Sequence, residues 1–93
     1  MKKDTLLKKL GRFVKVRAVQ TNQTEIIFEN GVALQSYDSL VAVRLKTDGV
    51  LYVGEDYNYS VTTSKYINKV FGATSKEIAN HIAQKNPNFK LIK

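Results

Sequence analysis

The chain contains no cysteine, so it can form neither a disulfide framework nor a thiolate metal site. It has a single histidine, His81, four residues after Glu77 in a helical pattern, where a surface or half-buried role outweighs a catalytic one. There is no cluster of metal-ligand residues and no glycine-rich phosphate loop. Nothing assembles a nucleophile, a base and an orienting group, so no enzyme and no cofactor are expected. Glu55 and Asp56 are adjacent acids that point apart on extended backbone, and they read as a loop charge pair and not as a cation site. No apolar run approaches the roughly 18 residues of a membrane span. Lys8 and Lys9 interrupt the first apolar stretch, which argues against a secretory signal. A cytoplasmic protein with no membrane partner is expected.

Acidic residues are also scarce. Eight Asp and Glu stand against fifteen Lys and Arg, a formal charge of +7. Residues 1–20 hold seven basic residues and one acidic, and residues 65–93 hold six lysines and Glu77. The middle of the chain is net acidic. If both ends fold onto one side, they make a positive face suited to phosphate or to an acidic partner. The 43% hydrophobic content and nine aromatics (four Phe, five Tyr) fit one folded domain, residues 1–93, with a small core.

The pattern changes period between Asp56 and Gly72. Tyr57, Tyr59 and Val61 alternate as on a strand, whereas Tyr66, Ile67, Val70 and Phe71 recur at helical spacing. The hydroxyl run Ser60, Thr62, Thr63, Ser64 lies between them and predicts a helix start near Thr63. Upstream, Asp4–Leu10 reads as a short helix with Asp4 as its cap, a stripe of Leu6, Leu7 and Leu10, and Gly11 as its stop. Arg12–Val19 reads as a strand, followed by a polar turn, 20–23. Thr24–Tyr37 reads as a hairpin around Asn30-Gly31. A two-residue loop would split the apolar residues between faces. A three-residue loop pairs Phe28 with Val32, groups Ile26, Phe28, Val32 and Leu34, and is the register expected here. By the same logic, Thr47-Asp48-Gly49 pairs Lys46 with Val50. Val41, Val43, Leu45, Leu51 and Val53 then share the core face, and Ala42, Arg44, Lys46, Val50 and Tyr52 the other. Gly31 and Gly49 would both hold left-handed turn positions.

Two helices follow, about Thr63–Phe71 and Ser75–Lys85. A capping box is expected at Thr74 and Glu77, and Pro87 ends the second helix. Phe89 and Leu91 suggest a last short strand or a packed tail. The expected fold class is α+β: a short N-terminal helix, an antiparallel meander of about five strands and two C-terminal helices, with an SH3-like or open barrel as its variant closure.

Three candidate binding features emerge. The helix start offers Thr62, Thr63 and Ser64, with Lys65, to an anion, since helix N-termini present free amides and a positive dipole end; capping and packing explain the same residues. The exposed sheet face offers Lys15, Arg17, Arg44 and Lys46 with Tyr52, a mixture of cations and aromatics that can follow a single nucleic-acid strand. Lys8, Lys9 and Arg12 would join Lys65 and Lys69 if the basic blocks converge. The third helix could alternatively read DNA through Lys76, Asn80, Gln84 and Lys85, but a helix-turn-helix needs a further recognition helix, and a short tail follows instead.

The segments 28–31 (Phe-Glu-Asn-Gly), 35–42 (Gln-Ser-Tyr-Asp-Ser-Leu-Val-Ala) and 59–68 (Tyr-Ser-Val-Thr-Thr-Ser-Lys-Tyr-Ile-Asn) resemble a family of small phage and prophage proteins of unknown function. The likeness spans roughly residues 26–72. Tyr66 stands where that family often has histidine. The resemblance implies a phage accessory protein acting in the cytoplasm of a bacterial host. Small basic proteins of that origin act without catalysis, by binding nucleic acid or a nucleoprotein complex, or as inhibitors of a host defence enzyme of the anti-CRISPR type; a structural or virion role is a third reading, less favoured because of the charge asymmetry. The inhibitor would dock on the nucleic-acid-binding groove of a host protein.

Overall fold

Alternating apolar residues through the middle of the chain produce a six-stranded sheet in a computed structural model that describes residues 2–55, 57 and 61–92. The elements run α1 (Lys3–Leu10), β1 (Phe13–Gln20), β2 (Gln23–Phe28), β3 (Gly31–Ser36), β4 (Ser39–Leu45), β5 (Leu51–Val53), α2 (Val61–Phe71), α3 (Ser75–Ala83) and β6 (Phe89–Leu91). Strand order follows chain order. The first five strands are antiparallel, and β6 pairs in parallel with β5. The sheet is open, with β1 and β6 as its edges, so the architecture is α+β without barrel closure.

Both faces of the central strands are buried. Successive strand residues point to opposite faces, and here each set has its own helix to cover it. Leu6 and Leu10 of α1 pack on Ala33, Val43, Leu45, Val50 and Tyr52. Tyr66, Ile67 and Phe71 of α2 and Ile78 of α3 pack on Leu34, Ala42, Leu51 and Val53. Leu7 is exposed, so the expected leucine stripe narrows to Leu6 and Leu10.

This double coverage overturns both expected hairpin registers. Phe28 pairs with Gly31 and Ile27 with Val32, around a two-residue loop. Arg44 pairs with Leu51 and Val43 with Tyr52, one residue away from the expected alignment. Leu51 and Val53 therefore share a face with Ala42 and Arg44, not with Val43. The criterion of collecting apolar residues on one face selects nothing when both faces are dry. An extra residue at Val41, between the pairs Leu34–Ala42 and Gln35–Leu40, turns Val41 toward the α2 side as well. Gly49 has φ +67, as expected of its turn, but Gly31 does not have positive φ. Its role is close approach: a Cβ there would collide with the Arg44 carbonyl oxygen and lie 2.7 Å from Leu10 Cδ2.

Helix α1 begins one residue early, with Lys2 at its cap position and no side-chain cap. Asp4 lies in the first turn, where a carboxylate favours the positive end of the helix dipole. Helix α2 begins at Val61, so Thr62, Thr63 and Ser64 lie inside its first turn instead of preceding it. Val61 is a helical, exposed residue and not the end of a strand. Asp56, Tyr59 and Ser60 lie outside the described residues. The capping box is present: Glu77 N–H donates to Thr74 Oγ1 (3.1 Å) and Thr74 N–H to Glu77 Oε1 (3.2 Å). The hydrogen bonds from Thr74, backbone first, hold the Glu77 carboxyl below its usual pKa.

Helix α3 ends in paired bonds, Asn86 N–H to the His81 carbonyl (2.9 Å) and Lys85 N–H to the Ile82 carbonyl (3.0 Å), with Lys85 at φ +57. Glycine is the usual occupant of that left-handed position. Lys85→Gly should therefore stabilise the fold by roughly 0.5–1 kcal/mol, offset in part by glycine's greater chain entropy. A melting temperature that stays level or falls would show that the Lys85 side chain compensates its backbone. His81 stacks on Phe89 at 4.3 Å between centroids and meets Asn86 Nδ2 at 3.1 Å, a packing role. No helix among the described residues is long and apolar enough to cross a membrane.

Candidate functional site

Helix α2 crosses the sheet over β3 and β4, and among the described residues the same face of β2 is left half-buried and that of β1 exposed. A groove runs along this boundary. Two cavities of about 230 and 260 Å³ share Glu25 and Val70 in their walls and so adjoin. Arg17 and Lys69 line the first, together with Val19. Arg44 and Lys46 line the second, with Val32 and Phe71 beneath. Lys15 pairs with Ile27 and Arg17 with Glu25, which places both basic residues on the groove side of the edge strand. The result is an apolar floor, cations from four elements or loops, and one carboxylate.

That carboxylate is weakly engaged. Arg17 Nε stands 3.9 Å from Glu25 Oε1, and the arginine side chain is largely exposed. Such a pair contributes little to stability and leaves the guanidinium available. Arg44 is more constrained. Its Nη1 donates to the Phe71 carbonyl at 3.4 Å, and its guanidinium lies 5.6 Å from the Phe71 ring centroid. A cation at the C-terminal end of α2 meets the negative end of the helix dipole, so Arg44 also ties α2 to the sheet. Its Nε is buried with no hydrogen-bond partner among the described residues. Lys65 and Lys69, one turn apart, both lie over the Tyr66 ring, at 5.6 and 6.0 Å.

The expected basic surface is thus brought together only in part. Arg17, Arg44, Lys46 and Lys69 line the groove, Lys15 lies outside its lining on the same face of β1, and Lys65 stands one turn up α2. Lys8 and Lys9 belong to α1 on the opposite face, and Arg12 sits in the link between α1 and β1. The two basic blocks share one face only through Lys15 and Arg17, because α1 carries Lys8 and Lys9 to the other side of the sheet from α2. Tyr52 is not on the exposed face either. It is 2% accessible, beneath α1, and its hydroxyl donates to Asp48 Oδ2 at 2.9 Å. Burial first, and the Asp48 carboxylate second, raise its pKa.

At the start of α2, Thr62 is exposed, Ser64 half-buried and Thr63 buried. The Thr63 hydroxyl lies 3.4 Å from Ser36 Oγ, which accepts from Gln23 Nε2 at 2.7 Å. Gln23, read from sequence as part of a polar turn, is a buried strand residue whose Oε1 has no hydrogen-bond partner among the described residues. This cluster turns a hydroxyl of the expected anion site inward. Glu25 and Val70 are groove residues that sequence reasoning missed. Their signal is the cross-strand pairing of Arg17 with Glu25, which becomes visible only once the register is known.

No group of three or more His, Cys, Asp or Glu among the described residues could hold a metal ion. A family model matches residues 10–86, and its description is a family of unknown function, DUF8033. No curated protein and no solved structure matches the chain.

Proposed function

Because the chain belongs to this family of unknown function, DUF8033, its role has to be read from its own side chains, and we propose that it binds single-stranded nucleic acid along the groove beside α2. The observation that supports this reading is the convergence of Arg17, Lys69, Arg44 and Lys46 on one groove over Val70 and Phe71. Cations spaced along an apolar floor suit a sugar–phosphate backbone, with bases resting on the floor. The groove is shallow and one-sided, which fits a flexible single strand better than a rigid duplex. The motif resemblance adds a setting, that of a small phage accessory protein without catalytic activity.

The test is a salt titration with mixed-sequence single- and double-stranded DNA and RNA. Each phosphate contact on a single strand adds about −0.7 to the slope of log affinity against log salt. About four contacts predict a slope near −3, hence a loss of roughly fifty-fold between about 50 and 200 mM salt. Absence of binding even at low salt, where electrostatics are strongest, would falsify the reading. The runner-up would then take its place: an inhibitor that docks its basic groove on an acidic or nucleic-acid-binding surface of a host enzyme.

A further inference from the structure

Among the described residues strand β1 pairs with β2 alone and forms one edge of the sheet. Seven of its eight residues are exposed and the eighth, Val19, is half-buried. An open edge presents a row of unpaired backbone donors and acceptors, and natural edges are usually blunted by charge or bulges. Here register shifts flank the strand, at Val14 and at Val19, but residues 15–18 keep an unbroken ladder with Ile27 to Thr24. The side chains along this stretch sort by face. Phe13 and Val16, paired with Phe28 and Ile26, lie on the α1 side and remain 59% and 58% accessible. Phe13 rests edge-on against Phe28, 6.4 Å between centroids, so it is held in place while exposed. Lys15 and Arg17 lie on the other side.

A second copy of the chain is a poor occupant. Antiparallel self-pairing about a two-fold axis keeps like faces together. Centred on Val16 it sets Lys15 against Arg17, centred on Lys15 or Arg17 it sets that residue against itself, and centred on Ala18 it runs into the irregularity at Val19, outside the unbroken ladder. The first three arrangements place like charges directly opposite, which destabilises a strand pair. The same geometry favours an acidic strand. We propose that the outer edge of β1 takes up an extended acidic segment of a partner protein as an added strand. Carboxylates at alternate positions face Lys15 and Arg17, and the apolar residues between them face Phe13 and Val16. Main-chain bonds supply affinity in such strand addition, and the alternate side chains supply selectivity. The site is separate from the nucleic-acid reading, although Arg17 lines the groove and Lys15 shares its face, so the test reads peptide binding and includes Phe13 and Val16, which lie on the α1 side.

The probes are three fluorescein-labelled eight-residue peptides: Glu alternating with Val, the same peptide with Lys for every Glu, and the Glu peptide with alternate backbone nitrogens methylated. Binding to the full chain is followed by fluorescence anisotropy, and thermal melts confirm that each variant is folded. The Glu peptide should bind, and the Lys and N-methylated peptides should bind at least tenfold more weakly. Lys15→Glu should weaken the Glu peptide at least tenfold and restore the Lys peptide. Phe13→Ser and Val16→Ser should each weaken it about threefold or more, and Lys90→Ala, on the opposite edge, should leave it unchanged. Equal binding of the Glu and N-methylated peptides would overturn the proposal, since it would show adsorption by charge alone. So would equal binding of the Glu and Lys peptides. A concentration-dependent dimer dissolved by Val16→Pro would overturn it as well, because a second copy would then own the edge.

Discussion

Gly31→Ala should lower the melting temperature by about 15 °C or more, whereas Gly49→Ala should cost only a few degrees. The two glycines look alike in sequence, each at the tip of a hairpin, but they are needed for different reasons. Gly49 has φ +67 and open space where a Cβ would go. Alanine there pays only for its left-handed backbone, about 1 kcal/mol. Gly31 has ordinary backbone, but its missing Cβ makes room for the Arg44 carbonyl oxygen on the neighbouring strand and for Leu10 of α1. Leu10 could shift; the carbonyl cannot without disturbing the β3–β4 ladder. The surrounding chain is held by main-chain bonds from Asn30 to the Leu10 carbonyl (2.9 Å), Glu29 to the Arg12 carbonyl (2.8 Å) and Lys46 to the Asn30 carbonyl (2.8 Å). Overpacking typically costs about 1–3 kcal/mol, and a rigid backbone neighbour puts Gly31→Ala at about 3. In a chain of this size each kcal/mol shifts the midpoint by about 4–8 °C. Calorimetric melts of the two variants decide the matter. Equal small losses would mean that α1 does not seat Leu10 against β3 as described.

The same contrast shows what was legible in the residues. Local devices were readable because their partners are close in sequence. Thr74 and Glu77 are three apart, and Leu6 and Leu10 are one helical turn apart. The positions of the hairpins were readable from Asn30-Gly31 and Asp48-Gly49. Registers were not. Ile26 and Ile27 are both apolar, as are Val43 and Ala42, so a one-residue slip changes which helix covers which residue without exposing an apolar surface. Register then depends on distant contacts such as Gly31 beneath Arg44, which no local pattern encodes. The site inherits this limit. Lysines and arginines could be named from sequence, but not which of them share a face. Only the placement of α1 and α2 on opposite sides separates Lys8 and Lys9 from Lys69. The burial of Gln23 with Ser36 and Thr63 was hidden for the same reason, since the three meet across two strands and a helix.

Reversing two groove cations should have the largest effect on binding. In the nucleic-acid reading, Lys69→Glu with Lys46→Glu removes one cation from each adjoining cavity and puts a carboxylate in its place. Both side chains are exposed, so the fold should be nearly indifferent. Unit charges at contact distance in water interact by about 1 kcal/mol. Two lost attractions and two new repulsions, partly screened, amount to about 3 kcal/mol, or roughly a hundredfold in affinity for a single strand at low salt. The matched control is Lys8→Glu with Lys9→Glu, an identical change of net charge placed on α1 across the sheet. If net charge alone draws the nucleic acid, both pairs weaken binding equally. If the groove holds it, the α1 pair costs less than about fivefold through the long-range field. Glu25→Gln supplies the opposite sign: removing the carboxylate shared by both cavities should tighten binding several-fold. Equal losses from the two reversed pairs, with no gain from Glu25→Gln, would remove the groove from the account and leave only a diffuse positive surface.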